Sequence, residues 1–252
     1  MKYKVITTFK PGDWERYAKR MVVSVLKNWP DVSITIYFEG QCPDFTDQNI
    51  EYVDINKANK ELQNFRIRHA NDPVAAVKFS FKVSCITHAV KTYTNYDYVI
   101  WLDDDTYTFR TIPKSFLVEL CPSDTLVTYL GRENDRGSNK YPECGLGGYN
   151  INHSLIQNFI QEWENLYTSD KIFELLEWHD SYVFWYMTKE YRKKLNAKVH
   201  DIGYKTGVKG HHVFVNSVLG QYIDHFKGDR KSDKKSRADD IRKTPELKEI
   251  DY

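Results

Sequence analysis

Apolar positions along the chain follow two periods, one typical of strands and one typical of helices. Runs rich in β-branched and aromatic residues predict strands at 3–9, 33–38, 50–55, 99–102 and 125–130. Apolar residues that recur every three or four positions predict helices at 14–29, about 74–94 and about 153–167. The apolar run that follows Asp180 indicates a further helix. Strands that alternate with helices in this way indicate an α/β fold.

Three stretches lack a clear period. Residues 56–72 are polar and predict a loop with a short helix, whereas residues 131–153 are dense in glycine and predict a loop. The last residues, 232–252, are charged and nearly free of aromatic side chains, which is typical of a flexible or loosely docked tail. We therefore expect a single domain over 1–231, followed by this tail.

Composition excludes several classes of protein. Of the 252 residues, 41% are hydrophobic, which is enough for a sizeable core. Lys and Arg number 36 against 35 for Asp and Glu, so the net charge of +1 does not favour nucleic acid or a membrane surface. No stretch approaches the roughly 18 consecutive apolar residues of a membrane span. The sequence predicts a soluble cytoplasmic protein without a targeting segment.

The cysteines support the same compartment. Cys42, Cys85, Cys121 and Cys144 are widely spaced, and no two of them form a C-x-x-C pair. This spacing suits a reducing compartment and does not favour a structural zinc site.

An acidic cluster directly follows one predicted strand. The apolar run 99–102 ends at Asp103, Asp104 and Asp105. Like charges a few Å apart disfavour one another's ionisation, so the arrangement is best explained by a divalent cation, usually together with phosphate oxygens. Ligands of open α/β sheets also bind at the carboxyl ends of the strands. The alternative interpretation is a solvated acidic turn or a helix N-cap.

A second polar motif lies near the C-terminal end of the predicted domain. His225, Gly228 and Lys231 have the spacing H-x-x-G-x-x-K. The imidazole would complete an oxygen site built by Asp103 and Asp105, a mixture suited to Mn²⁺ and acceptable for Mg²⁺. The glycine would let the backbone approach a diphosphate, and the lysine would add a positive charge to it. A lone histidine is more often structural, but the three offsets together favour a site.

With these two motifs, the chain resembles the GT-A-fold glycosyltransferases, in particular the glycogenin-like and bacterial lipopolysaccharide galactosyltransferase family. In that family, an apolar strand ending in D-x-D supplies two metal ligands. A C-terminal H-x-x-G-x-x-K-P-W supplies the third ligand and the diphosphate contacts. The resemblance covers roughly residues 1–231, and the Pro-Trp pair is absent because Ser232 and Asp233 follow the lysine.

The resemblance implies a GT-A fold, with a mixed, mostly parallel central sheet flanked by helices. It also implies a nucleotide-sugar donor, most often UDP-linked, with Mn²⁺ bridging its diphosphate, and retention of anomeric configuration. The expected metal ligands are Asp103, Asp105 and His225. The expected donor-binding residues are Thr7, Thr8, Lys82, Asp103, Asp104, Gly228 and Lys231. The lysine at 231 would also act in catalysis, by stabilising charge on the departing diphosphate.

Other polar residues are candidates for the remaining roles. Lys82, on the helix predicted at 74–94, would point at the donor phosphates, or else lie on a solvated face. The acceptor surface is expected at Glu143, Gly147, Asn150, His179 and Asp180. Asp180 could orient the acceptor hydroxyl or act as a base, although capping its helix is the simpler interpretation. If the enzyme inverts configuration, Asp180 or Glu143 would be the catalytic base.

Two other functions are compatible with the same pattern. One is a non-catalytic protein that binds a carbohydrate or a nucleotide, although such a protein needs no metal ligands at a diphosphate site. The other is a sugar-phosphate nucleotidyltransferase, which would carry a Gly-rich, Arg-containing loop where this chain has KPGDWER. A haloacid-dehalogenase phosphatase is excluded because Tyr107 occupies the position where it needs Thr. The acceptor stays open among saccharides, lipopolysaccharide, protein and modified nucleic acid.

Overall fold

The computed structural model describes residues 1–71, 75–132, 141–203 and 212–226. The strands in these ranges are β1 (Tyr3–Thr8), β2 (Ile34–Phe38), β3 (Ile50–Asp54), β4 (Tyr98–Leu102), β5 (Thr106–Thr108), β6 (Val127–Leu130), β7 (Glu143–Asn150), β8 (His200–Asp201) and β9 (Ile223–His225). The α-helices are α1 (Lys19–Asn28), α2 (Ile55–Ala58), α3 (Lys60–Arg68), α4 (Ala75–Thr92), α5 (Lys114–Leu120), α6 (Ile156–Thr168) and α7 (Asp180–Leu195). Most of the predicted strands and helices are therefore confirmed within a few residues.

A mixed sheet forms the centre of the molecule. Within the described ranges its strand order is β3-β2-β1-β4-β7-β6-β8. Neighbours pair in parallel except around β7, which runs antiparallel to both β4 and β6. A separate two-stranded antiparallel sheet joins β5 to β9. The expected mixed, mostly parallel α/β sheet is thus confirmed.

Both faces of the sheet are covered, which explains the continuous apolar run of β4. Val99 and Trp101 pack into a core that contains the buried residues of α4, α6 and α7. Ile100 and Leu102 point to the opposite face and pack with α1 and α5. Because successive side chains of a strand point to opposite faces, a strand that is buried on both sides has no polar positions until it ends.

The glycine-dense stretch contains a strand, so the prediction of a loop over 131–153 was wrong. Residues 133–140 lie outside the described ranges, but β7 occupies the centre of the sheet, where Gly147 pairs with Trp101. A Cβ at Gly147 would lie 3.1 Å from Tyr149 Oη, and one at Gly148 would lie 3.3 Å from Thr128 Cβ. These glycines therefore serve close packing, whereas glycine in a sequence more often marks a turn.

The polar stretch 56–72 is more regular than predicted. Its described part carries α2 and α3, and each helix begins at a side-chain cap. The Asp54 carboxylate accepts a hydrogen bond from the backbone N–H of Asn56 at 3.0 Å, and the Asn59 side chain accepts one from Leu62 at 3.0 Å. Short polar helices give a weak apolar period, so their caps are the stronger signal. None of the helices in the described ranges is long and apolar enough to cross a membrane.

Candidate metal and donor site

The acidic cluster lies where β4 leaves the sheet. The backbone N–H of Asp103 donates to the carbonyl of Gly145 on β7 at 2.9 Å, which extends the β4–β7 pairing by one residue. The chain then turns, and the Thr106 hydroxyl donates to the carbonyl of Asp103 at 2.9 Å. Strand β5 begins at Thr106 and pairs with β9 in a register that sets Thr106 opposite His225. This ladder brings the imidazole to the acidic turn.

Two carboxylates and one imidazole converge at this point. His225 Nε2 lies 3.0 Å from Asp105 Oδ1 and 3.9 Å from Asp103 Oδ2. One ligand atom from each of the three residues lies within 4.8 Å of the others. Asp104 is partly exposed in the same turn. The three side chains that the sequence predicted as metal ligands therefore come together and could hold a divalent cation.

Electrostatics at the imidazole are dominated by these acids. His225 is 2% exposed, and its burial lowers the pKa of the ring. The charges of Asp105, Glu143 and Asp103 act in the opposite direction and raise the pKa to about 9. Buried acids attract a positive charge to this position, whether it is a proton or a metal ion.

Lys82 joins the acidic turn to the start of α7. Its ammonium lies 3.0 Å from Asp103 Oδ1 and 2.7 Å from Asp180 Oδ2, and it donates to the carbonyl of Cys144 at 3.0 Å. Burial lowers the pKa of Lys82, but the two carboxylates more than compensate and keep it well above its usual value. The lysine therefore lies in the site and not on the solvated face that was the alternative interpretation.

Trp101 is a member of the site that the sequence reasoning missed. Its indole N–H donates to Asp103 Oδ1 at 2.7 Å, and the ammonium of Lys82 lies 5.0 Å from the centre of its ring. The available signal was its position two residues before the first aspartate, because residues two apart share one face of a strand. Trp101 counts as apolar in the pattern of the strand, although its indole N–H is a hydrogen-bond donor.

Asp180 is the first residue of α7 and not its N-cap, so that interpretation was wrong. The preceding residue, His179, is the cap, and its Nδ1 accepts a hydrogen bond from the backbone N–H of Tyr182 at 3.2 Å. The Nε2 of His179 lies 2.7 Å from Glu177 Oε2. The Asp180 carboxylate accepts a hydrogen bond from the backbone N–H of Ser181 through Oδ1 at 2.9 Å and pairs with Lys82 through Oδ2.

Two expected acceptor residues are not presented to an acceptor. Asn150 is 2% exposed at the far end of β7, where its amide donates to the carbonyls of Ser123 and Thr125, both at 2.9 Å. Glu143 is 4% exposed and accepts a hydrogen bond from Arg132 Nη2 at 2.8 Å. A buried carboxylate paired with a guanidinium is poorly placed to take a proton from an incoming hydroxyl.

Some of the remaining expected site residues lie in the described part of the chain, and others lie outside it. Thr7 and Thr8 end β1, which lies beside β4 in the sheet, and the Thr8 hydroxyl donates to the carbonyl of Tyr37 at 2.8 Å. Gly147 lines a small cavity together with Lys82 and Asp180. Gly228, Lys231 and the tail 232–252 lie outside the described residues.

The likeness of this chain to known proteins is one of fold and not of sequence. No protein-family model matches the chain, and no curated protein matches it significantly. The structure is similar to that of the WbbM bifunctional glycosyltransferase, at 13% identity and a TM-score of 0.57, over 99% of this chain and 51% of that one. It is also similar to a glycosyltransferase involved in the glycosylation of the major capsid of PBCV-1. That match has 13% identity and a TM-score of 0.48, and it covers 93% of this chain and 97% of the other.

The likeness to WbbM concerns the fold. This chain spans about half the length of WbbM and has the GT-A type of α/β fold, in which a mostly parallel sheet is flanked by helices. The acidic turn with His225 lies beyond the carboxyl end of β4, which is where open α/β sheets bind their ligands.

Proposed function

We propose that this chain is a metal-dependent glycosyltransferase that moves a sugar from a nucleotide-diphosphate donor to a hydroxyl acceptor. The observation that carries the proposal is the convergence of Asp103, Asp105 and His225 at the carboxyl end of β4, on a GT-A fold. A fold alone does not define an activity, so the proposal depends on these side chains.

The donor set fits a small divalent cation. Such an ion binds oxygen or nitrogen at about 2.0–2.2 Å, so two of its ligands lie at most about 4.4 Å apart. The separations of His225 from Asp105 and Asp103, 3.0 and 3.9 Å, fall within that limit. Two carboxylates with an imidazole suit Mn²⁺, and Mg²⁺ is the alternative. When bound, the cation supplies Lewis-acid stabilisation of negative charge on the departing diphosphate.

On the donor side, we assign the nucleotide to the ends of β1 and β4. Thr7 and Thr8 would contact the nucleoside, and Asp103, with Asp104 beside it, would contact the ribose. The resemblance noted above favours UDP as the nucleotide. Lys82 would hold Asp103 in place and add positive charge near the phosphates, since its ammonium is 3.0 Å from that carboxylate.

The C-terminal motif would complete the donor-binding site. Gly228 would allow close approach of the backbone to the diphosphate, and Lys231 would stabilise its charge as it leaves. Replacing Lys231 by Ala should therefore spare metal binding and lower turnover.

On the acceptor side, the proposal centres on Asp180. The residue is 9% exposed, and Lys82 holds its carboxylate on the same side of the sheet as Asp103. It would orient the acceptor hydroxyl beside the donor sugar, with His179 and Gly147 nearby. Retention of configuration is the expected outcome, and Asp180 is the candidate base if the reaction inverts.

The deciding experiment is donor turnover. Purified chain is incubated with UDP-, GDP- and CDP-linked sugars, with and without Mn²⁺, and the release of nucleoside diphosphate is measured. We expect Mn²⁺-dependent release of UDP from at least one donor, and its loss in Asp105→Ala. The control is Asp124→Asn, which changes an exposed aspartate paired with Lys198.

The same assay separates the alternatives. Mn²⁺-dependent nucleotide binding without release, with every acceptor class tried, would favour a binding protein. Formation of a nucleotide sugar from UTP and a sugar 1-phosphate would favour a nucleotidyltransferase. Absence of both binding and turnover would refute the proposal.

A further inference from the structure

We propose that Glu143 is a positioning residue that orients His225 for the metal ion. This role differs from the acceptor base expected from the sequence, and it rests on the metal site in the proposed function. In this role Glu143 contacts the histidine and touches neither the acceptor nor the donor.

The imidazole of His225 lies between two aspartates on one side and a glutamate on the other. Its Nε2 faces Asp105 and Asp103, whereas its Nδ1 lies 3.8 Å from Glu143 Oε1. The Nδ1 atom is buried and has no hydrogen-bond partner within the described part of the chain. A buried ring nitrogen without a partner carries a free-energy cost unless a small shift of the ring supplies one.

Metal coordination by His225 would create a need for an acceptor at the Glu143 side of the ring. A histidine that binds a cation through Nε2 must carry its proton on Nδ1, and that N–H needs an acceptor. Glu143 Oε1 is the carboxylate oxygen on that side of the ring, and the gap exceeds an ordinary hydrogen bond by less than about 1 Å. A carboxylate behind a ligating histidine sets its tautomer, fixes the ring and increases its basicity.

Glu143 is held by a contact on the side away from His225. Its other oxygen, Oε2, accepts a hydrogen bond from Arg132 Nη2 at 2.8 Å, and the residue is 4% exposed. The guanidinium anchors the carboxylate behind the ring. The pairing accounts for the burial of Glu143, and it argues against a direct ligand or a base that moves toward an acceptor.

Gly145 leaves the space in which the ring lies. A Cβ at this position would come within 2.7 Å of His225 Cε1 and 2.9 Å of its Nδ1. Glu143 and Gly145 both lie on β7 and both face the ring, since Glu143 Oε1 is 3.8 Å from His225 Nδ1 and a Cβ at Gly145 would be 2.9 Å from the same atom. One strand thus supplies both the acceptor for the ring N–H and the gap that admits the ring.

The test is the Mn²⁺ affinity of the full chain, measured from the electron paramagnetic resonance signal of free Mn²⁺, with and without UDP. We expect Glu143→Gln to weaken Mn²⁺ binding by about 10- to 100-fold, the range typical of second-layer partners of metal ligands. Glu143→Asp keeps the charge and should weaken it less. The matched control is Glu164→Gln, which alters another buried glutamate, 6% exposed and paired with Lys91, away from the acidic turn.

Thermal unfolding of each variant separates a loss of fold from a loss of affinity. Glu143→Gln and Glu164→Gln are both expected to lower the melting temperature, but only the former should change Mn²⁺ affinity in protein that is still folded. Equal Mn²⁺ affinity in Glu143→Gln and the parent would overturn the inference and leave the proposed function intact. A loss as complete as that in Asp105→Ala would make Glu143 a direct ligand, which also overturns it. If the parent chain itself binds no Mn²⁺, the proposed function fails first.

Discussion

His225 Nε2 lies 3.0 Å from Asp105 Oδ1, although the two residues are far apart in the sequence. The short ladder between β5 and β9 creates this contact, because Thr106, the residue after Asp105, pairs with His225. The backbone N–H of Phe226 also donates to the carbonyl of Asp105 at 3.0 Å. Backbone pairing on both sides of the contact therefore positions the imidazole before any cation binds.

Replacing Asp105 by Ala is predicted to abolish metal-dependent nucleotide binding. The variant removes one of the two carboxylates from the group of three residues that could hold a metal ion. Mn²⁺ affinity should therefore fall by more than about 100-fold, beyond the effect of losing a hydrogen-bond partner of a metal ligand. Isothermal titration calorimetry with UDP, with and without Mn²⁺, measures the change. His225→Ala should weaken Mn²⁺ binding in the same assay. UDP affinity in Asp105→Ala that still responds to Mn²⁺ as in the parent would contradict the assignment.

Replacing Lys82 by Met is predicted to destabilise the fold. The change leaves Asp103 and Asp180 without the ammonium that they share. Breaking a buried ion pair costs about 3 kcal/mol at the low end of the usual range, and the low end applies because Asp103 is 27% exposed. Urea unfolding near neutral pH measures the difference.

The control for this variant lies one turn earlier on the same helix. Lys78 is exposed, so Lys78→Met should change the free energy of unfolding by no more than about 0.5 kcal/mol. If the Lys82 and Lys78 variants have equal free energies of unfolding, the contacts of Lys82 with Asp103 and Asp180 contribute little to the stability of the fold.

Adding a single methyl group at Gly145 is predicted to disturb the metal site. In Gly145→Ala the new Cβ would meet His225 Cε1 at 2.7 Å, so the ring must move away from its place beside Asp105. We expect Mn²⁺ affinity to fall at least tenfold, about 1.4 kcal/mol. Gly147→Ala is the matched control on the same strand, since its Cβ would lie 3.1 Å from Tyr149 Oη and would not touch the ring. Similar Mn²⁺ affinities in the two variants would argue against a steric role for Gly145.

Acid is predicted to destabilise the chain partly through His88. Burial lowers the pKa of this ring below 6.5, the charge of Glu51 opposes the shift, and the ring Nδ1 lies 2.8 Å from the Tyr37 hydroxyl. A lowered pKa in the folded state means that the unfolded chain binds more protons near pH 6. Stability is therefore present above the unfolded pKa and is lost as the pH falls through the folded one.

This dependence is measured as the difference in unfolding free energy between about pH 8 and about pH 5, within which histidine titrates. His88→Gln should make that difference smaller than in the parent. A difference of the same size in both proteins would exclude His88 as a contributor.

Sequence and structure contributed differently to the site. The acidic turn was predictable because the run 99–102 is apolar on both faces and then stops at charged residues. The pairing of that turn with His225 rested on motif spacing, and the β5–β9 ladder supports it. The sequence did not predict β7, since its glycines resemble those of a turn until neighbouring side chains show what fills the missing Cβ positions.

By itself, the sequence determined the local features of this protein: the α/β alternation, the strand buried on both faces, and the chemistry of Asp103 and Asp105. Only the tertiary structure decided which charges meet, placing Lys82 between Asp103 and Asp180 and setting Glu143 behind His225. The physical reason is range. Periodicity and capping act over a few residues, whereas burial and electrostatic pairing depend on distances that exist only after distant strands have joined one sheet.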